Sequence, residues 1–416
     1  VGDQVSTLDI ALAVIGSAVL LIGLLSDPLK RRWLSGPLLA LVLGVLLGPH
    51  VTGVLDPARW GEVSTLLEEV ARLTVAVSLM GIALRLPRGY LREHWRSLVI
   101  VLGPVMVLMW LVSGLLVFAL LAVPIWVALL VGAVLTPTDP VVASTIVQGR
   151  LAQRLLPARL RHFLSAESGA NDTLAYPLVF LALLMLEKPA SSAVGEWLWR
   201  VVIAENVGAV LLGGALGYLV GRLMLWGYRR DTFAPTSHLL FSVALTVAVL
   251  GATHLTGANG LLAVFVAGLV FRGVIPEDED RTEERVQEGV NDFFLLPVFV
   301  LLGLALPWER WADLGWRGPA LVVAVLLLRR LPAFVALSPA MRTVRGRSEA
   351  FFLGWFGPIG VAALYYGTLS WHESGHALVW TVASLVISAS VLVHGISATP
   401  FSRRLSQAGE RAGARR

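Results

Sequence analysis

Residues 123–150 read VPIWVALLVGAVLTPTDPVVASTIVQGR. An apolar run long enough to cross a bilayer is interrupted in its second half by Thr136-Pro137-Thr138-Asp139-Pro140. Each proline removes a backbone donor and disfavours helix at the residue before it, so this stretch is not regular helix. Backbone left unpaired inside a membrane is tolerated only where it lines a cavity or is buried in protein. A helix broken there offers its ends and carbonyls to a bound ion. The plainer alternative is a proline kink capped by Thr and Asp. A carboxylate set between the two prolines, Asp139, tips the reading toward an ion pathway.

The rest of the chain fits that setting. Of its 416 residues 56% are apolar and 15% charged, and its mean hydropathy is +0.76. Soluble domains sit near roughly 45–50% apolar and about 25% charged. A soluble enzyme, a disordered chain and a coiled coil are therefore excluded, and an all-α integral membrane protein remains. Stretches of about 20 apolar residues predict about 13 transmembrane helices. They lie at 8–26, 36–52, 62–85, 97–119, 121–148, 160–187, 200–228, 237–256, 258–273, 288–307, 317–338, 348–370 and 376–398. The runs are too long and too rich in Leu and Ala for the alternating strands of a membrane barrel. The absence of cysteine removes disulfides, thiolate metal sites and a cysteine nucleophile. A net charge of +5 is better explained by arginine-rich loops on one membrane face than by a nucleic-acid partner, and none is expected.

Charge placement sets the expected orientation. No basic residue precedes the first span, and Lys30, Arg31 and Arg32 follow it, which argues against a cleavable signal peptide and puts the N-terminus outside. Of 33 Lys and Arg, 26 then fall in inside segments, including Arg329 and Arg330, with five outside and two within spans. The C-terminus is expected in the cytoplasm and the chain in the plasma membrane. The most polar segment, PEDEDRTEERVQE at 276–288, is read as a solvated linker or surface helix.

Span six, FLSAESGANDTLAYPLVFLALL (163–184), carries Glu167, Ser168, Asn171 and Asp172 at i, i+1, i+4 and i+5. Helical spacing puts Glu167 and Asn171 on one face, with Ser168 and Asp172 on the adjacent stripe, so the four can face span five. An ionisable group at the bilayer centre costs at least about 2.5–3.5 kcal/mol and needs a partner, water or a function. Glu167 has candidate partners in Arg329 and Arg330. Asp172 has the neutral Asn171 beside it, which suits a site holding either a proton or a cation. Span twelve, AFFLGWFGPIGVAALYYG (350–367), is broken by Gly354, Gly357, Pro358 and Gly360. Interrupted helices in corresponding halves point to a transporter site between inverted repeats.

The strings TPTDPVVAS (136–144), ESGANDTLAYP (167–177), GWFGPIGVAALYY (354–366) and VLVHGISATP (391–400) resemble the monovalent cation:proton antiporters. In combination they are similar to the NhaP-like bacterial branch and to fungal alkali-cation antiporters. The likeness extends over essentially the whole chain, including LLALVLGVLLGP in span two. It implies the sodium/proton antiporter fold, with inverted repeats whose two broken helices cross, and a homodimer. It implies a dimerisation scaffold at 1–96 and 237–316, a mobile core at 97–190 and 317–400, a connecting span at 191–236 and a basic cytoplasmic tail at 401–416. By position, Asp172 becomes the cation- and proton-binding carboxylate and Asn171 its partner. Ser168 and Thr138 become further Na+ ligands, with Asp139 in the same unwound crossing. Glu167 is expected to pair with an arginine of span eleven, Arg330 in preference to Arg329. Thr136, Pro137, Pro140, Gly357 and Pro358 form the breaks. Two departures stand out: SLMGIALRL (78–86) lacks a glutamate that many relatives carry late in span three, and Ile359 replaces an arginine common after the Gly-Pro of span twelve.

The expected activity is exchange of a monovalent cation, Na+ ahead of Li+ or K+, for H+ by alternating access, 1:1 and electroneutral, in pH and sodium homeostasis. No enzyme activity and no cofactor are expected, Na+ and H+ being cargo. A cation channel or ion sensor is the alternative. More remote is an intramembrane zinc protease, because His372-Glu373-Ser374-Gly375-His376 matches H-E-x-x-H. His162, at the inner end of span six, is a candidate modulator of the pH response. His394 is expected to make a packing and helix-end contact.

Overall fold

The apolar runs fold as helices where their hydropathy places them. The computed structural model describes residues 16, 17, 20, 35–56, 63–139, 149–230, 237–275 and 280–413. Of the expected first span at 8–26 only residues 16, 17 and 20 are described, and Pro140 lies outside the described residues. The described chain runs α1 (Gly36–Leu47), α2 (Val63–Arg85), α3 (Trp95–Leu121), α4 (Ile125–Val134), α5 (Gly149–Leu155), α6 (Ala158–Glu187) and α7 (Ala190–Tyr228). It continues with α8 (Ser237–Thr256), α9 (Gly260–Val274), α10 (Asp280–Leu304), α11 (Arg317–Leu328), α12 (Leu331–Leu337), α13 (Arg347–Trp355), α14 (Val361–Ser374) and α15 (Ala377–Gly413). No strand occurs among the described residues.

Local chemistry sets the ends. Ser35 caps α1 by accepting from Leu38 N–H at 3.4 Å, and Asn259 caps α9 by accepting from Leu262 N–H at 3.2 Å. Pro124, Pro157 and Pro189 stand immediately before α4, α6 and α7, where a proline can open a helix that it could not continue. Gly375, at φ +69°, turns the chain out of α14.

Among the described residues five helices are long and apolar enough to cross a membrane unaided: Trp95–Leu121, Ala158–Glu187, Ala190–Tyr228, Arg317–Ala340 and Ala377–Gln407. Others are shorter apolar helices, and two expected spans are interrupted. In span five α4 ends at Val134 and residues 136–139 are non-helical, the rest of the expected span to 148 lying outside the described residues. Span twelve is α13, the extended residues Phe356–Gly360, and α14. The two breaks meet, because Asp139 N–H donates to Pro358 O at 2.7 Å.

Some expected boundaries are corrected. The connecting span begins at Ala190, ten residues before the expected 200, and winds through a π-helical stretch at Trp197–Glu205. The helix that carries span ten begins at Asp280, so most of the polar 276–288 segment is its first turns, while its apolar part, Gly289–Leu304, lies where span ten is expected. The last helix runs to Gly413 with Pro400 inside it, so the basic segment from 401 continues that helix through its described residues. Arg329 and Arg330 are buried at the joint between α11 and α12 rather than on an inside loop.

Glycine lets several helices pack backbone to backbone, as lipid-embedded helices do without a hydrophobic driving force between them. Gly44 of α1 meets Gly303 of α10. Gly213 and Gly217 of α7 lie against Ala263 and Ala267 of α9, where a Cβ on Gly217 would stand 2.9 Å from the Ala267 Cα. Gly214, one residue away, would place a Cβ 4.0 Å from Val266 Cγ1, an ordinary contact. Gly217→Ala is therefore expected to destabilise the protein by about 1–3 kcal/mol and Gly214→Ala to leave it near wild type. Thermal unfolding of the purified variants in detergent checks this; equal midpoints would contradict the close approach.

Candidate ion-binding site

The ends of α4 and α13 and the start of α14 come together at the two breaks, and the site is built from what satisfies them. The chain leaves α4 at Leu135. Thr136 Oγ1 donates back to Gly132 O at 2.8 Å. The carbonyls of Leu135, Thr136 and Pro137 then have no helical partners, and Arg329 Nη1 donates to all three, at 3.4 Å for Thr136 and 3.3 Å for Pro137. Its Nη2 donates to Gly357 O in the second break. One guanidinium thus serves the C-terminal ends of both half-helices, where the helix dipole favours a cation.

The opposite charge serves an N-terminal end. Asp139 Oδ2 accepts from Val361 N–H at 2.9 Å, capping α14. Gly360 is required beside it, because a Cβ there would collide with the Asp139 carboxylate. Ile359 N–H donates to Ser390 Oγ at 2.8 Å. His394 Nε2 lies 3.1 Å from Trp355 O at the end of α13, and its Nδ1 lies 3.0 Å from Ser390 O. Pro137 and Pro358 flank these contacts within the breaks. The buried Ile359 side chain leaves the position after Pro358 without a charge.

Helix α6 faces the first break. Asn171 Oδ1 accepts from Thr138 N–H at 3.1 Å. Thr138 Oγ1 donates to Glu167 Oε1 at 3.3 Å, and Ser168 Oγ donates to Thr138 O. Glu167 is held in a fork by Arg330, with Nη1 to Oε1 at 2.6 Å and Nη2 to Oε2 at 3.1 Å. Arg330 also donates to Leu353 O from Nε at 3.2 Å. Two charges are thereby neutralised in place, with the bidentate geometry that suits guanidinium to carboxylate.

Asp172 is different. It is 5% exposed, and its Oδ1 and the Asn171 Nδ2 are buried with no hydrogen-bond partner among the described residues. Its own carbonyl accepts from Tyr366 Oη at 2.9 Å, which fixes this turn of α6 against α14. The structure therefore brings together Thr136, Pro137, Thr138, Asp139, Glu167, Ser168, Asn171, Asp172, Arg330, Gly357 and Pro358. It leaves His162 apart: its ring packs edge-on to Tyr90 with centroids 5.8 Å apart, ten residues or about 15 Å along the helix from Asp172.

The sequence offers Arg329 only as a second candidate partner for Glu167 and gives Ser390 and Tyr366 no part. The signal was available for Arg329, since an arginine in an apolar span must find acceptors. None distinguished Ser390 or Tyr366 from ordinary span residues. The H-E-x-x-H match fails on geometry: α14 ends at Ser374 and turns at Gly375, so His376 is not on the helical turn of His372, and His372 Nδ1 pairs with Glu68 Oε2 at 2.6 Å. Among the described residues no group of three acidic or histidine side chains is placed to hold a metal.

Removing one partner of a buried ion pair leaves a bare charge and costs about 3–5 kcal/mol. Glu167→Gln and Arg330→Gln are each expected to lower the thermal midpoint sharply, and the double variant by clearly less than the sum. Additive losses in that double-mutant cycle would show that the pair does not act as a unit.

The sequence model described as "Sodium/hydrogen exchanger, transmembrane" matches residues 15–404. A Schizosaccharomyces pombe protein named a probable Na(+)/H(+) antiporter is 32% identical over 429 residues, covering 96% of this chain and 56% of its own length. Na(+)/H(+) antiporter 2 of Zygosaccharomyces rouxii is 31% identical, covering 95% of this chain and 53% of its own length. The chain thus spans about half the length of these curated relatives. The solved structure of the sodium proton antiporter MjNhaP1 from Methanocaldococcus jannaschii matches with a TM-score of 0.74 at 17% identity, covering 95% of this chain and 99% of that one. The fold is shared across that distance, and the names lend no support to a channel, a sensor or a protease. On its sequence and on the family model that matches nearly all of it, this chain belongs to the sodium/hydrogen exchangers.

Proposed function

We propose that the chain is a secondary transporter that exchanges a monovalent cation, Na+ ahead of Li+ or K+, for H+ by alternating access. The observation that carries this reading is the uncommitted, buried Asp172 carboxylate beside a broken helix. Hard cations take oxygen ligands. The Asp172 carboxylate, the Ser168 hydroxyl and the Thr138 hydroxyl supply them, with Asn171 holding the broken strand in place through Thr138 N–H. Ser168 and Thr138 spend their protons on Thr138 O and Glu167, which leaves hydroxyl lone pairs for a cation.

Asp172 holds a proton or a cation, never both, so competition at one site couples the two fluxes. Glu167 is neutralised by Arg330 and Asp139 by the end of α14. That leaves Asp172 as the titrating carrier and makes the exchange 1:1 and electroneutral. No cofactor enters such a cycle, and the protein acts as a carrier rather than an enzyme. The scaffold is spans one to three and eight to ten, the moving core is spans four to six and eleven to thirteen, and two protomers dimerise through the scaffold. The protein sits in the plasma membrane with its N-terminus outside and its C-terminus in the cytoplasm. His162, at the inner mouth, modulates the response to internal pH. Exchange in that orientation serves pH and sodium homeostasis.

The test is cation-induced dissipation of a pH gradient in proteoliposomes. Wild type is expected to respond to Na+, and Asp172→Asn to give no response while unfolding at an unchanged temperature; retained exchange would sink the assignment. The apparent KM for Na+ is expected to fall as pH rises, by about tenfold per unit on the acid side for one competing proton, with the maximal rate preserved at saturating Na+. A constant KM with a pH-dependent maximal rate would point instead to a separate proton gate.

A further inference from the structure

Two side-chain ties join the elements assigned above to the core with those assigned to the scaffold, and both lie on the outer side of Asp172 in the proposed orientation. The first originates at Pro177 inside α6. Proline has no N–H, so the carbonyl of Thr173, one turn earlier, loses its helical partner. Asn259 at the start of α9 supplies the replacement, its Nδ2 donating to Thr173 O at 3.4 Å. The same amide nitrogen donates to Asn206 Oδ1 on α7 at 3.0 Å, and Asn259 N–H donates to Glu205 O at 3.2 Å. Asn259 therefore fastens scaffold and connecting span to the helix turn that carries the ion-binding carboxylate. The second tie joins the last turn of α14 to the start of α2: His372 Nδ1 lies 2.6 Å from Glu68 Oε2.

A cavity of about 120 Å³ lies beside these ties, lined by Arg72, His254 and Asn259 on the scaffold side and by Tyr176 and Tyr365 on the core side. The cavity and both ties span the same division between the elements assigned to core and scaffold. We propose that Asn259–Thr173 and Glu68–His372 form the outer latch of the transporter, two polar bonds that hold the core shut against the scaffold and must part before the site faces outside. The latch rests on the exchange reading given above.

The chain has no cysteine, so an introduced pair is the sole thiol target. Glu68→Cys with His372→Cys, reconstituted and joined by a short bis-methanethiosulfonate linker, is expected to lose exchange and regain it when reductant cuts the linker. Exchange at the unlinked rate, with loss of free thiols proving linkage, would overturn the latch. A second readout needs no transport: Tyr365→Cys, labelled from outside by a membrane-impermeant maleimide. Its labelling is expected to speed roughly fivefold or more when Asn259→Ala and Glu68→Ala remove both ties, the shift that loss of two net hydrogen bonds gives. Unchanged labelling would also overturn the proposal. Failure of the exchange reading is distinct from either result, being absence of any cation response in wild type.

Discussion

Every backbone group that two broken helices leave open inside a bilayer has to be satisfied by protein, and the centre of this molecule is organised around that requirement. An unmet buried polar group costs about 1–3 kcal/mol, and the two breaks expose many at once. The solution is sparse. Arg329 donates to carbonyls of both breaks, Asp139 accepts at the start of α14, and Ser390 and His394 deal with Ile359 and Trp355. Each crossing element thus depends on a side chain from another. The breaks cannot form separately, and losing one cap exposes backbone in the other half.

The same economy isolates one carboxylate, the one proposed to bind the ion. Of the charges gathered at the crossing, Glu167 and Arg330 cancel each other, while Arg329 and Asp139 are spent on helix ends of the opposite polarity. Asp172 has no such assignment among the described residues. A carboxylate kept uncommitted among committed neighbours can exchange one small cation for another without disturbing the frame that holds it. Tyr366 and Asn171 keep its helix turn and the broken strand fixed, so binding changes charge more than shape.

Packing elsewhere divides into two styles. Glycine-mediated contacts such as Gly217 on Ala267 and Gly44 on Gly303 bring backbones together with no room to slide. Asn259 and the Glu68–His372 pair reach between helices through single polar bonds. A few directional bonds can break and re-form at modest cost, whereas interlocked backbone surfaces cannot.

Hydropathy alone located the crossing helices, because an apolar run of sufficient length has few other fates. Pro137 and Gly357-Pro358 marked the breaks, because a proline cannot donate a helical hydrogen bond wherever it sits. Helical spacing set Glu167, Ser168, Asn171 and Asp172 on one side of α6, a local property of the chain. The tertiary structure decided what each charge is for. Arg329 and Arg330 are adjacent and chemically alike, and their sequence context ranks them weakly; packing at the α11–α12 joint aims one at backbone carbonyls and the other at Glu167. Asp139 caps a helix that begins 222 residues later, and Asn259 meets a carbonyl that Pro177 freed 86 residues before it in the chain. Periodicity and propensity act over a few residues, whereas a partner for a buried charge is chosen by which helices touch, and that is a property of the folded whole.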